Sequence, residues 1–244
     1  PDFFINRNIN NIESINNFIS PSESWLEDPF LFKSMNTAVN RILSNPKKSP
    51  ILIHGDCDAD GVSSCAVLNN YLTNIGYNIH YYIPNRSFEG HAMSLKAIDF
   101  AKSIGSKLIV TCDLGMSSFD QVEYANNKGL DVIITDHHKT SERTPNAYAI
   151  INPWLDSNKD LPFKEYSGSG VAFKLCHALN IKLSLDSDFL YELMEIVMIG
   201  IISDKVKILK ENRLISYNGY SMMQKGNNLG LKILNKSIAP KSIN

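Results

Sequence analysis

ILIHGDCDADG, residues 51–61, opens as a short apolar run and closes on three carboxylates set two residues apart, Asp56, Asp58 and Asp60. With Ile51–His54 as a buried strand, an extended backbone turns all three to one side of the strand end. Like charges this close repel by roughly 4 kcal/mol at an effective dielectric near 20, so the arrangement is tolerable only in open solvent or around a cation. Two readings follow. One is a cation site; the other is an acidic turn capping a helix that starts near Gly61, with Asp60 as N-cap. A calcium loop of the EF-hand type needs a Glu at its twelfth position, and counting from Asp56 that position is Val67, which excludes it.

Outward from this stretch, apolar runs alternate with helical periodicity. The runs are ILIH (51–54), NIHYYI (78–83), KLIVTC (107–112), DVIITD (131–136) and AYAII (147–151), with helices predicted over 62–75, 93–104 and 118–128. Gly76, Gly105 and Gly129 fall where helix-ending glycines are expected. The rhythm predicts an α/β fold with a doubly wound, mainly parallel sheet flanked by helices. Helical spacing over 10–20 and 32–43 predicts an N-terminal segment, residues 1–48, that packs on the core. Residues 49–205 form the α/β domain, and 206–244 a further helical segment. Helices are expected over 171–179, 187–202 and 213–235.

Sheets of this class bind ligands beyond the carboxyl ends of their strands. The first strand delivers His54, Asp56, Asp58 and Asp60 to that rim, the third delivers Asp113, and the fourth delivers Asp136, His137 and His138. A lone Asp after a strand is ordinarily a helix cap. Carboxylates and imidazoles from three strand ends at one rim are a different matter, and an oxygen-rich set with one or two imidazoles suits Mn²⁺ or Mg²⁺ better than structural zinc. Ser167-Gly168-Ser169-Gly170 stands just ahead of an amphipathic helix, where backbone N–H groups can cradle a phosphate or simply form a packing turn. Asp204 ends a largely apolar helix.

Composition sets bounds. With 244 residues, 43% of them hydrophobic, the chain has material for a large core. The net charge of −1 gives no global basic field, so any nucleic-acid contact rests on a local patch or on metal ions that reverse the sign of an acidic site. Cys57, Cys65, Cys112 and Cys176 form no CxxC pair, which argues against a zinc ribbon or a disulfide framework and for a reduced, cytoplasmic protein. No apolar run of membrane-spanning length is present.

HGDCDADG (54–61), YYIPNR (81–86), TCDLG (111–115), VIITDHH (132–138), IINP (150–153) and SGSGVAFK (167–174) occur in the order in which they stand in the DHH family of phosphoesterases, which this sequence resembles. It is most similar to the RecJ branch, the exonucleases specific for single-stranded DNA, and the likeness spans nearly the whole chain. The resemblance implies a two-metal phosphodiesterase of 5′–3′ polarity that releases mononucleotides, with two Mn²⁺ or Mg²⁺ ions as cofactors. It makes Asp58, Asp60, Asp113, His137 and Asp204 metal ligands, Asp113 bridging. His54 and Asp56 both match the first motif, and which of them touches metal stays open. Asp136 would orient the site and His138 would contact the scissile phosphate. Arg86 and Ser167, Gly168, Ser169 and Gly170 would hold substrate phosphates.

A strand attracted to a metal-loaded acidic site also needs backbone contacts, for which Arg86, Lys139, Arg143 and Lys174 are candidates; a solvated surface charge is the other reading of each and the favoured one for Arg143. Tyr81, Tyr82 and Phe88 are candidate stacking residues, although aromatic residues at strand ends are more often core. Single-stranded DNA is the implied partner, with a single-strand-binding protein or a helicase beside it and no membrane. Two departures stand out: SDKVKIL around Asp204 lacks the apolar, Pro-containing pattern usual in the branch, and the second domain expected of the family is not seen before Asn244. Two alternatives remain: a phosphodiesterase of the same family acting on short oligoribonucleotides or cyclic dinucleotides, and a non-catalytic scaffold with the same fold.

Overall fold

The computed structural model describes residues 4, 9–139 and 143–238. Its elements run α1 (Ile12–Ile19), α2 (Met35–Leu43), β1 (Ile51–Gly55), α3 (Ala59–Asn74), β2 (Ile79–Tyr82), α4 (Arg86–Glu89), α5 (Leu95–Ser103) and β3 (Leu108–Cys112). They continue with α6 (Phe119–Asn127), β4 (Asp131–Thr135), β5 (Ala149–Ile151), α7 (Gly168–Lys182), α8 (Asp188–Glu192), α9 (Met194–Ser203), α10 (Lys210–Lys225) and α11 (Leu229–Ile238). All five predicted runs are strands, four of them trimmed at their ends and the first extended by Gly55. Gly76, Gly105 and Gly129 follow their helices at positive φ, as a helix-ending glycine should. The predicted helix over 187–202 is two helices meeting at Leu193, and that over 213–235 is divided after Lys225, where Gly226 takes φ 67°.

The strands pair in the order β2-β1-β3-β4-β5, every pair parallel. Both faces are covered, which is why the strands read as continuous apolar runs. Ile51, Ile53, Leu108, Val110, Ile133 and Ile151 pack on one face with side chains from α2, α3, α7 and α9. Leu52, Ile109, Val132 and Ile134 pack on the other with α5 and α6. Each fully buried aliphatic side chain of this kind contributes about 1.5–3 kcal/mol relative to exposure. Phe32, Met35 and Ile42 from the N-terminal segment and Ile215 from α10 belong to the first cluster, so elements on both sides of 49–205 share its core.

The chain runs from β1 out to β2 and then returns past β1 to β3. Loops leaving β1 and β3 therefore diverge and open a crevice at the carboxyl rim. All the acidic stretches singled out above, apart from Asp204, leave strands at that rim.

Candidate metal centre and substrate cleft

At the end of β1 the cap is Asp58 and not Asp60: Asp58 Oδ1 accepts the Gly61 N–H at 2.9 Å, and α3 begins three residues earlier than predicted. Inside the first turn, Asp60 is free to reach across to α7. Its Oδ2 accepts the Gly168 N–H at 2.6 Å and its Oδ1 the Ser169 N–H at 2.9 Å, so the amino end of α7 holds this carboxylate. That corrects the expected phosphate cradle. The Ser167–Gly170 loop is buried, its second and third amides face Asp60, and the Gly170 N–H donates to Ser167 Oγ in the helix cap. Gly168 is required here, since a Cβ would lie 2.5 Å from Asp113 Cβ.

The third strand ends in a turn of unusual backbone. Asp113 takes φ 62°, a conformation rare outside Gly, Asn and Asp, while its N–H donates to Thr135 O at 2.9 Å. His137 Nε2 then lies 3.0 Å from Asp113 Oδ1, 3.7 Å from Asp204 Oδ2 and 3.8 Å from Asp60 Oδ2. Asp113 Oδ1 and His137 Nε2 are both buried, and no hydrogen bond satisfies either. A buried imidazole nitrogen crowded by the carboxylates of Asp113, Asp60 and Asp204 marks a space short of positive charge, which fits a cation. Among the described residues, donor atoms of Asp60, His137 and Asp204, and again of Asp113, His137 and His138, come within 4.8 Å of one another. The sets share His137.

Electrostatics agree. Burial pushes the Asp113 carboxyl up to about 7, opposed by His137 and reinforced by Asp60 and Asp58. Burial likewise raises Asp204. Burial works against a charged His137, but Asp113 and Asp60 outweigh it and its pKa stands above the ordinary value.

Asp136 is the hub of the next layer. Its Oδ1 accepts the His138 backbone N–H at 3.1 Å and bonds His138 Nδ1 at 2.7 Å, and its Oδ2 accepts the Met116 N–H at 3.0 Å. The imidazole is thereby fixed in orientation, and the Asp136 hydrogen bond raises the pKa of His138 to about 9. Asp56, Asp58, Asp113, Asp136, His138, Arg86, His91 and Lys139 line an open cleft of about 510 Å³.

Other predicted residues divide sharply. His54 is fully buried, its Nε2 accepts the Ser94 N–H at 2.8 Å, and burial pulls its pKa down to about 4. That nitrogen has no lone pair left for a metal, whereas Asp56 lines the cleft. Lys174 is no DNA contact: it is fully buried, 2.6 Å from Glu211 Oε1, and also donates to Glu27 O. Tyr82 packs against His54 and Phe100, and its hydroxyl donates to Glu89, so it is not a free stacking face. Tyr81 and Phe88 are exposed, and Arg143 sits over the Phe119 ring. Sequence reasoning missed Gly200, where a Cβ would collide with Ser169 Oγ and Asp60 Oδ1, and His91, whose ring meets Arg86. It also assigned no role to Asn152, which donates to His138 O at 2.9 Å. A glycine inside an apolar helix and an Asn at a strand end were the available signals.

The pattern described as the N-terminal domain of the DHH family matches residues 50–201. The chain belongs to the DHH family. Its curated relatives include the single-stranded-DNA-specific exonuclease RecJ of Bacillus subtilis, 38% identical over 235 residues, which cover 95% of this chain and 29% of that protein. RecJ of Escherichia coli is 39% identical over 187 residues, 72% of this DHH chain and 32% of the relative. The chain thus spans about a third of the length of these relatives. Among solved structures, a RecJ exonuclease bound to manganese superposes with a TM-score of 0.77 at 27% identity, over 86% of this chain and 53% of that one. RecJ of Thermus thermophilus with Mn²⁺ gives 0.78 at 24% identity, over 97% and 33%, a likeness of fold.

Proposed function

We propose that this DHH chain is the catalytic part of a RecJ-type exonuclease, a metal-dependent phosphodiesterase that hydrolyses single-stranded DNA in the 5′–3′ direction to mononucleotides. The observation that carries the reading is the convergence of Asp60, Asp113, His137 and Asp204 on one polar space, with Asp113 Oδ1 and His137 Nε2 buried and unsatisfied. Those residues, with Asp58 and Asp56 on the cleft wall, would hold Mn²⁺ or Mg²⁺. Bound metal supplies Lewis acidity and a hydroxide nucleophile at neutral pH.

The chain's own residues then have distinct tasks. Gly168 and Ser169 N–H groups fix the Asp60 carboxylate before any ligand arrives. Asp136 holds the His138 ring over the cleft, and its hydrogen bond favours the protonated imidazole, ready to donate to a phosphoryl oxygen. Arg86 and Lys139 face the same cleft as cations for the flanking phosphates. A single-strand-binding protein or helicase as working partner, and a cytoplasmic setting, belong to this reading; the four cysteines are unpaired, and among the described residues no helix is long and apolar enough to cross a membrane.

The test is incubation with Mn²⁺ of 5′- and 3′-end-labelled single strands, the matching duplex and a short RNA. Stepwise release of mononucleotides from the 5′ end of the single DNA strand alone is expected. Preferential cleavage of the RNA, or no cleavage by a protein that binds Mn²⁺, would overturn it.

A further inference from the structure

The segment after β2 reaches the cleft with little core of its own, yet it carries Arg86 and His91. Arg86 Nη2 lies 2.6 Å from His91 Nδ1, and both side chains line the cleft. What fixes this segment is Glu89. Its Oε1 accepts the Asn85 N–H at 3.0 Å, while its Oε2 accepts the Tyr82 hydroxyl at 2.9 Å and also the Ser94 hydroxyl. Ser94 in turn donates its N–H to His54 at 2.8 Å, and the neighbouring Met93 N–H donates to Ser118 Oγ at 2.9 Å. One carboxylate therefore ties the start of the segment, its end and strand β2 together, and His54 anchors the knot in the sheet.

We propose that Glu89 is a positioning residue for substrate: with Tyr82, Ser94 and His54 it forms a latch that holds Arg86 and His91 over the cleft. In this arrangement the first-motif histidine serves the substrate wall instead of a metal. The latch rests on the phosphodiesterase reading for its meaning but not for its existence. A residue of this kind acts on binding and leaves the metal centre alone, so its loss raises KM at constant kcat.

Three measurements on the 244-residue chain test it. Glu89→Ala is expected to raise KM for a single-stranded oligonucleotide about tenfold with kcat within about twofold, at unchanged Mn²⁺ affinity by calorimetry. Combined with Arg86→Ala, it should add nothing to the loss caused by Arg86→Ala alone. Glu89→Gln, which keeps an acceptor oxygen, should recover most of the affinity. Amide hydrogen exchange at Asn85 and Ser94 should quicken in Glu89→Ala. Additive losses, an unchanged KM, or exchange no faster than in the wild type each overturn the latch. A wild-type protein inert on every strand sinks the functional reading instead, and exchange at Asn85 and Ser94 still decides the latch.

Discussion

His138 and Asp113 are titratable groups with opposite burdens. The Asp136 hydrogen bond raises the His138 pKa from 6.5 to about 9. A histidine held above its unfolded value gives stability that is fully present below pH 6.5 and is lost as pH rises through about 9. In chelator, the melting temperature should therefore fall between pH 6.5 and 9, and His138→Ala should flatten that fall. A pH profile identical in variant and wild type would remove the Asp136 bond from the account. The same variant should lower turnover by about 10²-fold or more, as for a lost proton donor, with calorimetric Mn²⁺ stoichiometry unchanged. Loss of one ion would instead make His138 a ligand, as its place beside Asp113 and His137 permits. For Asp113, burial raises the carboxyl to about 7, so its charge opposes folding of the apo protein. Asp113→Asn suits the left-handed backbone and is expected to raise the apo melting temperature while abolishing Mn²⁺ binding; thermal melts with and without metal check both.

Two helices that bear no ligand in their interiors set the ligand geometry. Helix α7 offers Asp60 two amides, and α9 crosses so close to it that Gly200 faces Ser169 Oγ and Asp60 Oδ1. A methyl group there must push α9 away or drag Asp60 off its amides. Overpacking of this kind costs about 1–3 kcal/mol, so Gly200→Ala should lose that much by urea melts and weaken Mn²⁺ binding in parallel. Destabilisation with metal affinity intact would mean that α9 moves alone. The two helices also mark how far sequence reading goes. Asp60, Asp113, His137 and Asp204, which the family resemblance names as ligands, do lie together, while Asp58, named with them, caps α3. The role of SGSG was not legible: glycines ahead of a helix favour any anion, and only tertiary contact makes that anion Asp60 rather than a phosphate. Lys174 was misread for the same reason, since its buried partner Glu211 lies 37 residues away in sequence.

At the scale of the molecule, the sheet was legible because apolar runs and helical stretches alternate, and the site followed because parallel strands send their ends to one rim. The substrate surface was not, because a lysine's letter carries no burial. Affinity for a single strand comes chiefly from cationic phosphate contacts along a groove. Here Lys174 is in the core, net charge is −1, and among the described residues the cleft sets Arg86, Lys139 and His138, the last already paired with Asp136, against four carboxylates, Asp56, Asp58, Asp113 and Asp136. Metal would offset the carboxylates at the reacting phosphate but adds nothing further along the strand. With about two phosphates neutralised by side chains, log K should fall against log salt with a slope of roughly −1.4, at about −0.7 per contact for single strands. The Mn²⁺-loaded 244-residue chain is thus expected to bind a 20-mer weakly, at micromolar Kd or above, and with little sensitivity to salt; fluorescence anisotropy across a salt series measures both. Submicromolar binding with a steep slope would mean that strand contacts extend beyond the cleft, and Lys139→Ala would then change the slope by only a small fraction of its value.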